Sequence, residues 1–281
     1  MKFSVTTVML PHLDLQQTCK LLSDLGYDGL ELRVRRLPPE RMSENPSPWG
    51  RHLTNLSPDN ILGRAEEVKS VVLEHKLQIA AFASACDASD LDHVRLLAEG
   101  AKAVRCPAIR LSCPGYNGTV NYNELYDTAV KNYEKALNIT SQYGIKVLVE
   151  MHGGTIHPSA SLAHRIVSRF DTKDIGVIYD PQNMVKDGFE TVQLVFELLG
   201  DYLSHIHAGA HRPFPGDKDE KGTVKWLWQG CPMGEGLYDF PKMIVCLKKV
   251  GYKGFISIED FRGDCSPEEK LKDAIDYLRK L

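Results

Sequence analysis

The sequence has no apolar run long enough to cross a bilayer; its longest uninterrupted apolar stretches are a few residues, against the roughly 18 that a spanning helix needs. It also lacks a surplus of either charge. Lys and Arg number 34 and Asp and Glu 37, a net charge of −3, and 43% of residues are hydrophobic. That balance excludes the basic footprint of a nucleic-acid binder and the apolar-poor composition of a disordered chain. No Cys-x-x-Cys pair occurs among the seven cysteines at 19, 86, 106, 113, 231, 246 and 265. An odd set with that spacing favours neither a disulfide framework nor a zinc knuckle, so buried thiols in a reducing compartment are expected. Only Cys113, in Ser112-Cys113-Pro114-Gly115 after a strand, is placed to face an active site, and a small buried residue is the stronger reading even there. The first dozen residues carry no apolar signal segment or small-residue cleavage site. They are expected to be a first strand of a cytoplasmic protein.

What the sequence does contain is alternation. Short β-branched runs alternate with amphipathic segments along all 281 residues, and no linker divides them. This is the pattern of βα units on a parallel sheet. Strands are expected at 3–7, 29–34, 78–84, 108–112, 146–150, 176–180, 203–207 and 255–259. Eight strands close a barrel, so the fold class is α/β, one (β/α)8 TIM-barrel domain over 1–281. Helix ends are legible as well. Asp14 with Gln17, and Ser266 with Pro267 and Glu269, read as capping boxes that open the first and last helices. Segments 35–60 and 208–238 are long, rich in Pro, Gly and charge, and follow strands two and seven. In a barrel such loops lie on the catalytic face and are candidates for a lid.

The last four strands run into Glu150, Asp180, His207 and Glu259, at spacings of 30, 27 and 52 residues. Each step fits one βα unit, the last lengthened by the long loop, so the four side chains should converge at one end of the barrel. Three carboxylates buried together repel strongly unless a cation neutralises them. Three oxygens and one imidazole favour a divalent ion such as Mn²⁺, Mg²⁺, Co²⁺ or Zn²⁺ over thiolate-seeking Cu⁺ or iron–sulfur clusters.

The arrangement resembles the xylose isomerase-like barrel superfamily, in its sugar and sugar-phosphate isomerase and epimerase branch. Four segments carry the resemblance: Val149-Glu150-Met151-His152-Gly153-Gly154; Ile178-Tyr179-Asp180-Pro181; His205-Ile206-His207; and Gly234-Glu235-Gly236-Leu237-Tyr238-Asp239-Phe240 leading to the stretch 251–261. The resemblance implies that Glu150, Asp180, His207 and Glu259 hold one divalent metal ion, Mn²⁺ favoured. It further implies that Glu150 and Glu259 move a proton on and off the carbon beside a polarised carbonyl, through an enediolate. A lyase on a keto-sugar or cyclitol, passing through the same enolate, is the alternative. The ketose epimerases carry a histidine where Asn183 stands, a glutamate where Ile156 stands and an arginine where Pro213 stands, one residue from Arg212. The metal set is thus kept while the substrate pocket differs.

His152, Asn183, His211 and Arg212 are the candidate substrate-binding residues. His205 is expected to pack or to support His207. Glu31 and Arg33 are expected to line the barrel mouth or pair with each other, and Trp49 and Trp228 to stack on a sugar or pin the long loops. The expected partner is a small carbohydrate-like molecule, with no nucleic acid and no membrane, and a homo-oligomer is compatible. The trinuclear cluster of the apurinic-site endonucleases on this barrel needs histidines near positions held here by Cys113 and Asn183.

Overall fold

The computed structural model describes residues 1–112 and 114–281. Cys113 lies outside the described residues. Of the other cysteines, five are buried and Cys265 is partly so; burial pushes the Cys19 and Cys86 thiols up to about 12, which marks them as inert packing.

Eight parallel strands form a closed barrel: β1 (Lys2–Thr6), β2 (Gly29–Arg33), β3 (Gln78–Ala83), β4 (Ala108–Arg110), β5 (Lys146–Glu150), β6 (Ile175–Tyr179), β7 (Leu203–Ala208) and, after a hairpin, β10 (Phe255–Ile258). The first and last strands close it, with Ser4 opposite Ser257 on one side and Gly29 on the other. These are the eight expected strands, trimmed where Val34, Ser84, Asp180 and Glu259 leave the ladder at its C-terminal end. Around the barrel stand α1 (Leu15–Asp24), α2 (Ala65–Glu74), α3 (Leu91–Ala103), α4 (Tyr122–Tyr143), α5 (Ala160–Val167), α6 (Pro181–Asp187), α7 (Val192–Leu199), α8 (Phe240–Lys249) and α9 (Pro267–Leu278). Both capping boxes form, at Asp14–Gln17 and at Ser266–Glu269. Among the described residues no helix is long and apolar enough to cross a membrane.

Side chains alternate between the two faces of each strand, and that alternation sorts the barrel into two environments. Val5, Leu30, Phe82, Ile109, Val147, Val177, Ile206 and Ile256 face outward into the annulus beneath the helices, where the large core lies. The inward positions hold a small apolar floor of Ala81, Ala108, Leu148 and Ile178. Two residues further along the same strands come Ala83, Arg110, Glu150 and Asp180. The interior therefore changes from apolar to charged toward the C-terminal ends, which concentrates the polar chemistry at one mouth.

Two segments take more structure than their sequence suggests. Residues 208–238 contain a two-stranded antiparallel arm, β8 (His211–Lys218) on β9 (Val224–Gly230), turned at Gly222 with a φ of 82°. Pro213 and Pro215 argue against a strand, yet proline is tolerated where one edge has no partner, and among the described residues β8 pairs only with β9. Residues 181–187 form α6, which Asp180 caps through Asn183 N at 3.0 Å with Pro181 in the first turn.

Candidate metal centre

Glu150 ends β5, Asp180 follows β6, His207 lies on β7 and Glu259 follows β10. All four are buried, and each offers a ligand atom within 4.8 Å of the others. His207 is the hub. Its Nδ1 lies 2.9 Å from Glu150 Oε1, 3.0 Å from Glu259 Oε2 and 3.9 Å from Asp180 Oδ2. Inward parity explains the meeting, since each residue sits two places beyond Leu148, Ile178, His205 or Ser257 on its own strand.

The electrostatics of the cluster are those of crowded anions. Burial raises Glu259's affinity for its proton, and the charges of Glu150 and Asp180 raise it further against the opposing pull of His207. For Glu150 burial acts the same way, but the Arg110 guanidinium and His207 outweigh it and hold the carboxyl below its ordinary range. His207 is held well above the ordinary imidazole range, against its burial, by Glu259 and Glu31 in particular. Three carboxylates around one imidazole edge, with no thiolate among the donors, match the preference of hard and borderline divalent cations. The cluster could hold a metal ion.

A second buried group sits behind the first. Glu31, on β2, accepts from the far side of His207, with Nε2 3.1 Å from Oε2, and also meets His205 Nε2 at 3.1 Å. Burial opposes ionisation of Glu31, yet the two imidazoles hold its pKa well below the usual carboxylate range. Because Glu31 occupies Nε2, it fixes the tautomer that leaves Nδ1 turned to the other three carboxylates. Glu31 and Arg33 therefore do not pair with each other. His205 meets Glu31, and Glu31, His205 and His207 form a second buried group that could hold a metal ion.

Of the four candidate substrate-binding residues, His152 lines a cavity of about 170 Å³ with Arg110, Ser112, Glu150, Thr155 and His157, and its Nδ1 meets Gly153 O at 2.7 Å. Asn183 is committed to Asp180, donating to it from both backbone and side chain. His211 lies 3.3 Å from Lys186 Nζ; burial and that ammonium lower its pKa to about 4. Arg212 is drawn outward on the arm, where Nη1 pairs with Glu235 at 2.8 Å. Trp49 packs its ring 5.1 Å from that of Phe261, and Trp228 lies opposite Pro213 in the arm. Arg110, half-buried and paired with Glu150, was not singled out in the sequence. The available signal was its place two residues after inward Ala108 in a strand otherwise apolar.

Residues 19–281 match the family model of the xylose isomerase-like TIM barrel. Among curated relatives, the uncharacterized protein MJ1311 of Methanocaldococcus jannaschii is 27% identical over 177 residues, 59% of this chain and 56% of that one. An inosose dehydratase of Geobacillus kaustophilus is 21% identical over 172 residues, 56% of this chain and 53% of that one. The chain spans about half the length of the curated relatives it matches. The solved structure of the 3-keto-D-glucoside 4-epimerase YcjR from E. coli superposes with a TM-score of 0.74 at 14% identity, covering 100% of both chains. The IOLI protein, solved with a bound zinc atom, superposes with a TM-score of 0.74 at 18% identity, covering 100% of this chain and 99% of that one. At those identities the structural likeness shows the fold.

Proposed function

The chain belongs to the xylose isomerase-like TIM barrel family, and from that premise we propose that it is a divalent-metal-dependent isomerase or epimerase of a sugar, sugar phosphate or related hydroxy-carbonyl compound. The observation that carries this reading is the placing of Glu150 and Glu259. They come from β5 and β10, three places apart around the barrel, and meet the same imidazole edge at 2.9 and 3.0 Å. Two carboxylates that approach one small site from different sides are what proton removal from one carbon and return to its neighbour, or to its opposite face, requires.

Glu150, Asp180, His207 and Glu259 would hold the ion, Mn²⁺ by preference, with Mg²⁺, Co²⁺ and Zn²⁺ as other occupants the donor set accepts. When bound, the ion supplies Lewis acidity: it polarises a carbonyl oxygen and stabilises the negative charge that appears there when the adjacent C–H bond breaks. The rest is done by the chain. Glu31 holds the His207 ring in orientation, Arg110 holds Glu150 as a carboxylate, and His152 stands at the rim beside Glu150, placed to contact a substrate hydroxyl. Of Glu150 and Glu259, one takes the proton from the substrate carbon and the other returns it.

A lyase reaction from the same enolate is the second reading. It is favoured by the inosose dehydratase relative and by Asn183, Ile156 and Pro213, which depart from the ketose epimerase pattern. Incubating Mn²⁺-loaded protein with keto-sugars in D₂O and following the products by NMR separates the two. Deuterium at the exchanged carbon with the skeleton intact supports isomerisation, and an unsaturated product with loss of water supports elimination. Glu259→Gln is expected to lower either turnover by roughly 10²–10⁴; full activity in that variant removes Glu259 from the mechanism.

A further inference from the structure

On the β2 side of the candidate metal centre three arginines, Arg33, Arg35 and Arg110, gather at the barrel mouth. Arg33, the last residue of β2, and Arg35 beyond it continue the inward parity of Glu31, and Arg110 ends β4 on the inward parity of Ala108. Arg35 Nε donates to Ala83 O at 3.3 Å and Arg110 Nε to Ser84 O at 3.1 Å. Consecutive carbonyls at the end of β3 thus hold two guanidinium groups side by side, an arrangement that like charges resist. Arg110 has Glu150 as its partner. Arg35 has no carboxylate at ion-pair distance among the described residues, and its charge rests on the face of Trp49, 5.6 Å away. Arg33 is only 5% exposed; its Nη2 donates to Gly50 O at 2.8 Å, while its Nε finds no acceptor.

Arg33 and Arg35 share a cavity of about 570 Å³ with His52, whose buried Nδ1 is likewise without a partner. Among the described residues the one carboxylate lining that cavity, Asp59, is already held by both Nε and Nη2 of Arg36, at 2.9 and 2.8 Å. Burial, with Arg110 and Arg33 adding to it against the opposing pull of Glu150 and Glu259, lowers Arg35 to about 10. Its surroundings therefore disfavour a charge that it nevertheless carries at neutral pH. Arg33 and Arg35 thus stand beside Arg110 with no free carboxylate at ion-pair distance among the described residues. Buried charge without a counterpart is costly, and an anion brought by the ligand removes that cost.

We propose that this site takes an anionic hydroxy-carbonyl substrate, one bearing a carboxylate or a phosphate, with the oxyanion on Arg35 and Arg33 and the carbonyl end between Glu150 and Glu259. The inference rests on the isomerase or lyase reading above and narrows its substrate class. It is tested by binding, so that its failure is separate from a failure of the reaction. Isothermal titration of Mn²⁺-loaded protein with D-fructose, D-fructose 6-phosphate and D-galacturonate compares a neutral sugar with a phosphate and a carboxylate.

At least one of the two anions is expected to bind tenfold or more tightly than D-fructose, and which one does so identifies the anion. That advantage should vanish in Arg35→Gln and persist in Arg169→Gln, at an exposed arginine outside that cavity. A ligand anion that merely sits on the metal would keep its advantage in Arg35→Gln, and that result overturns the proposal. So does a D-fructose affinity equal to that of both anions, or no binding of either anion. If Arg35→Gln does not fold, as judged by its thermal unfolding, Arg35→Met keeps the aliphatic stem against Trp49 and is expected to show the same loss. An anion preference that persists while no exchange or elimination is seen in D₂O removes the reaction and leaves the anion site standing.

Discussion

At the scale of single residues, the histidines separate into those that gain charge and those that are denied it. His207, among carboxylates, is the first kind. His157 is the second: it is 2% exposed, its Nε2 has no partner, and burial lowers its pKa to about 4. In the unfolded chain the same imidazole titrates near 6.5. Between those two values the unfolded state binds a proton that the folded state does not. Stability therefore rises with pH across that window and is lost on acidification through it, by up to about 1.4 kcal/mol per pH unit for this one group. His157→Gln is expected to show a smaller fall in urea midpoint between pH 7 and pH 5 than the parent; equal falls would locate the acid sensitivity elsewhere. The sequence revealed the four strand-end residues because each follows an apolar run, a local signal. It did not reveal what Glu31 and Arg110 touch, since their partners His207 and Glu150 lie 176 and 40 residues away and only barrel closure brings them together.

At the scale of elements, the strand ends need backbone room that only glycine leaves. Gly209 follows β7, and a Cβ built there would lie 2.2 Å from the carbonyl oxygen of Glu259 and 2.5 Å from Gln182 Oε1. The same stretch holds Glu259 through its amide, which donates to Ala208 O at 2.9 Å. Gly209→Ala must therefore push the end of β10 outward and carry Glu259 with it. Overpacking of this kind costs about 1–3 kcal/mol, and here it falls on a residue proposed to hold the ion. The variant is expected to melt earlier and to bind Mn²⁺ more weakly by titration, whereas Gly263→Ala, where a Cβ meets nothing within 4 Å, should change neither. Elements also show where sequence reading stops. The barrel strands and the two capping boxes are periodic or local signals and were legible. The helix α6 was within reach through Asp180-Pro181 and Asn183, a cap followed by a first-turn proline, but its few residues offer little apolar periodicity. The arm at 211–230 has strand pairing without a buried face, with Trp226 63% and Leu227 46% exposed, so no alternation of inward and outward residues announced it.

At the scale of the whole molecule, the fold separates stability from function. The core lies in the annulus between strands and helices, while the barrel interior ends in a ring of charge. The four proposed ligand positions belong to β5, β6, β7 and β10, which are consecutive around the barrel, so an ion bound there would tie half of its circumference together. A ligand that binds only the folded state stabilises it by about 2.7 kcal/mol at a hundredfold excess over its Kd. At about 2–4 °C per kcal/mol for domains of 150–250 residues, and less for larger ones, this is a rise of several degrees. Mn²⁺ is expected to raise the thermal midpoint of the protein and EDTA to return it. The rise should shrink as pH falls, because protons compete for the same carboxylates and imidazole. Glu259→Gln should lose most of the increment, since an amide oxygen is a weaker ligand for a dication, and Arg36→Gln, on the outer loop, should keep it. A midpoint indifferent to both Mn²⁺ and EDTA would mean that the carboxylates share protons among themselves and with His207 instead of an ion. The proton transfers assigned to Glu150 and Glu259 would then need a different source of carbonyl activation.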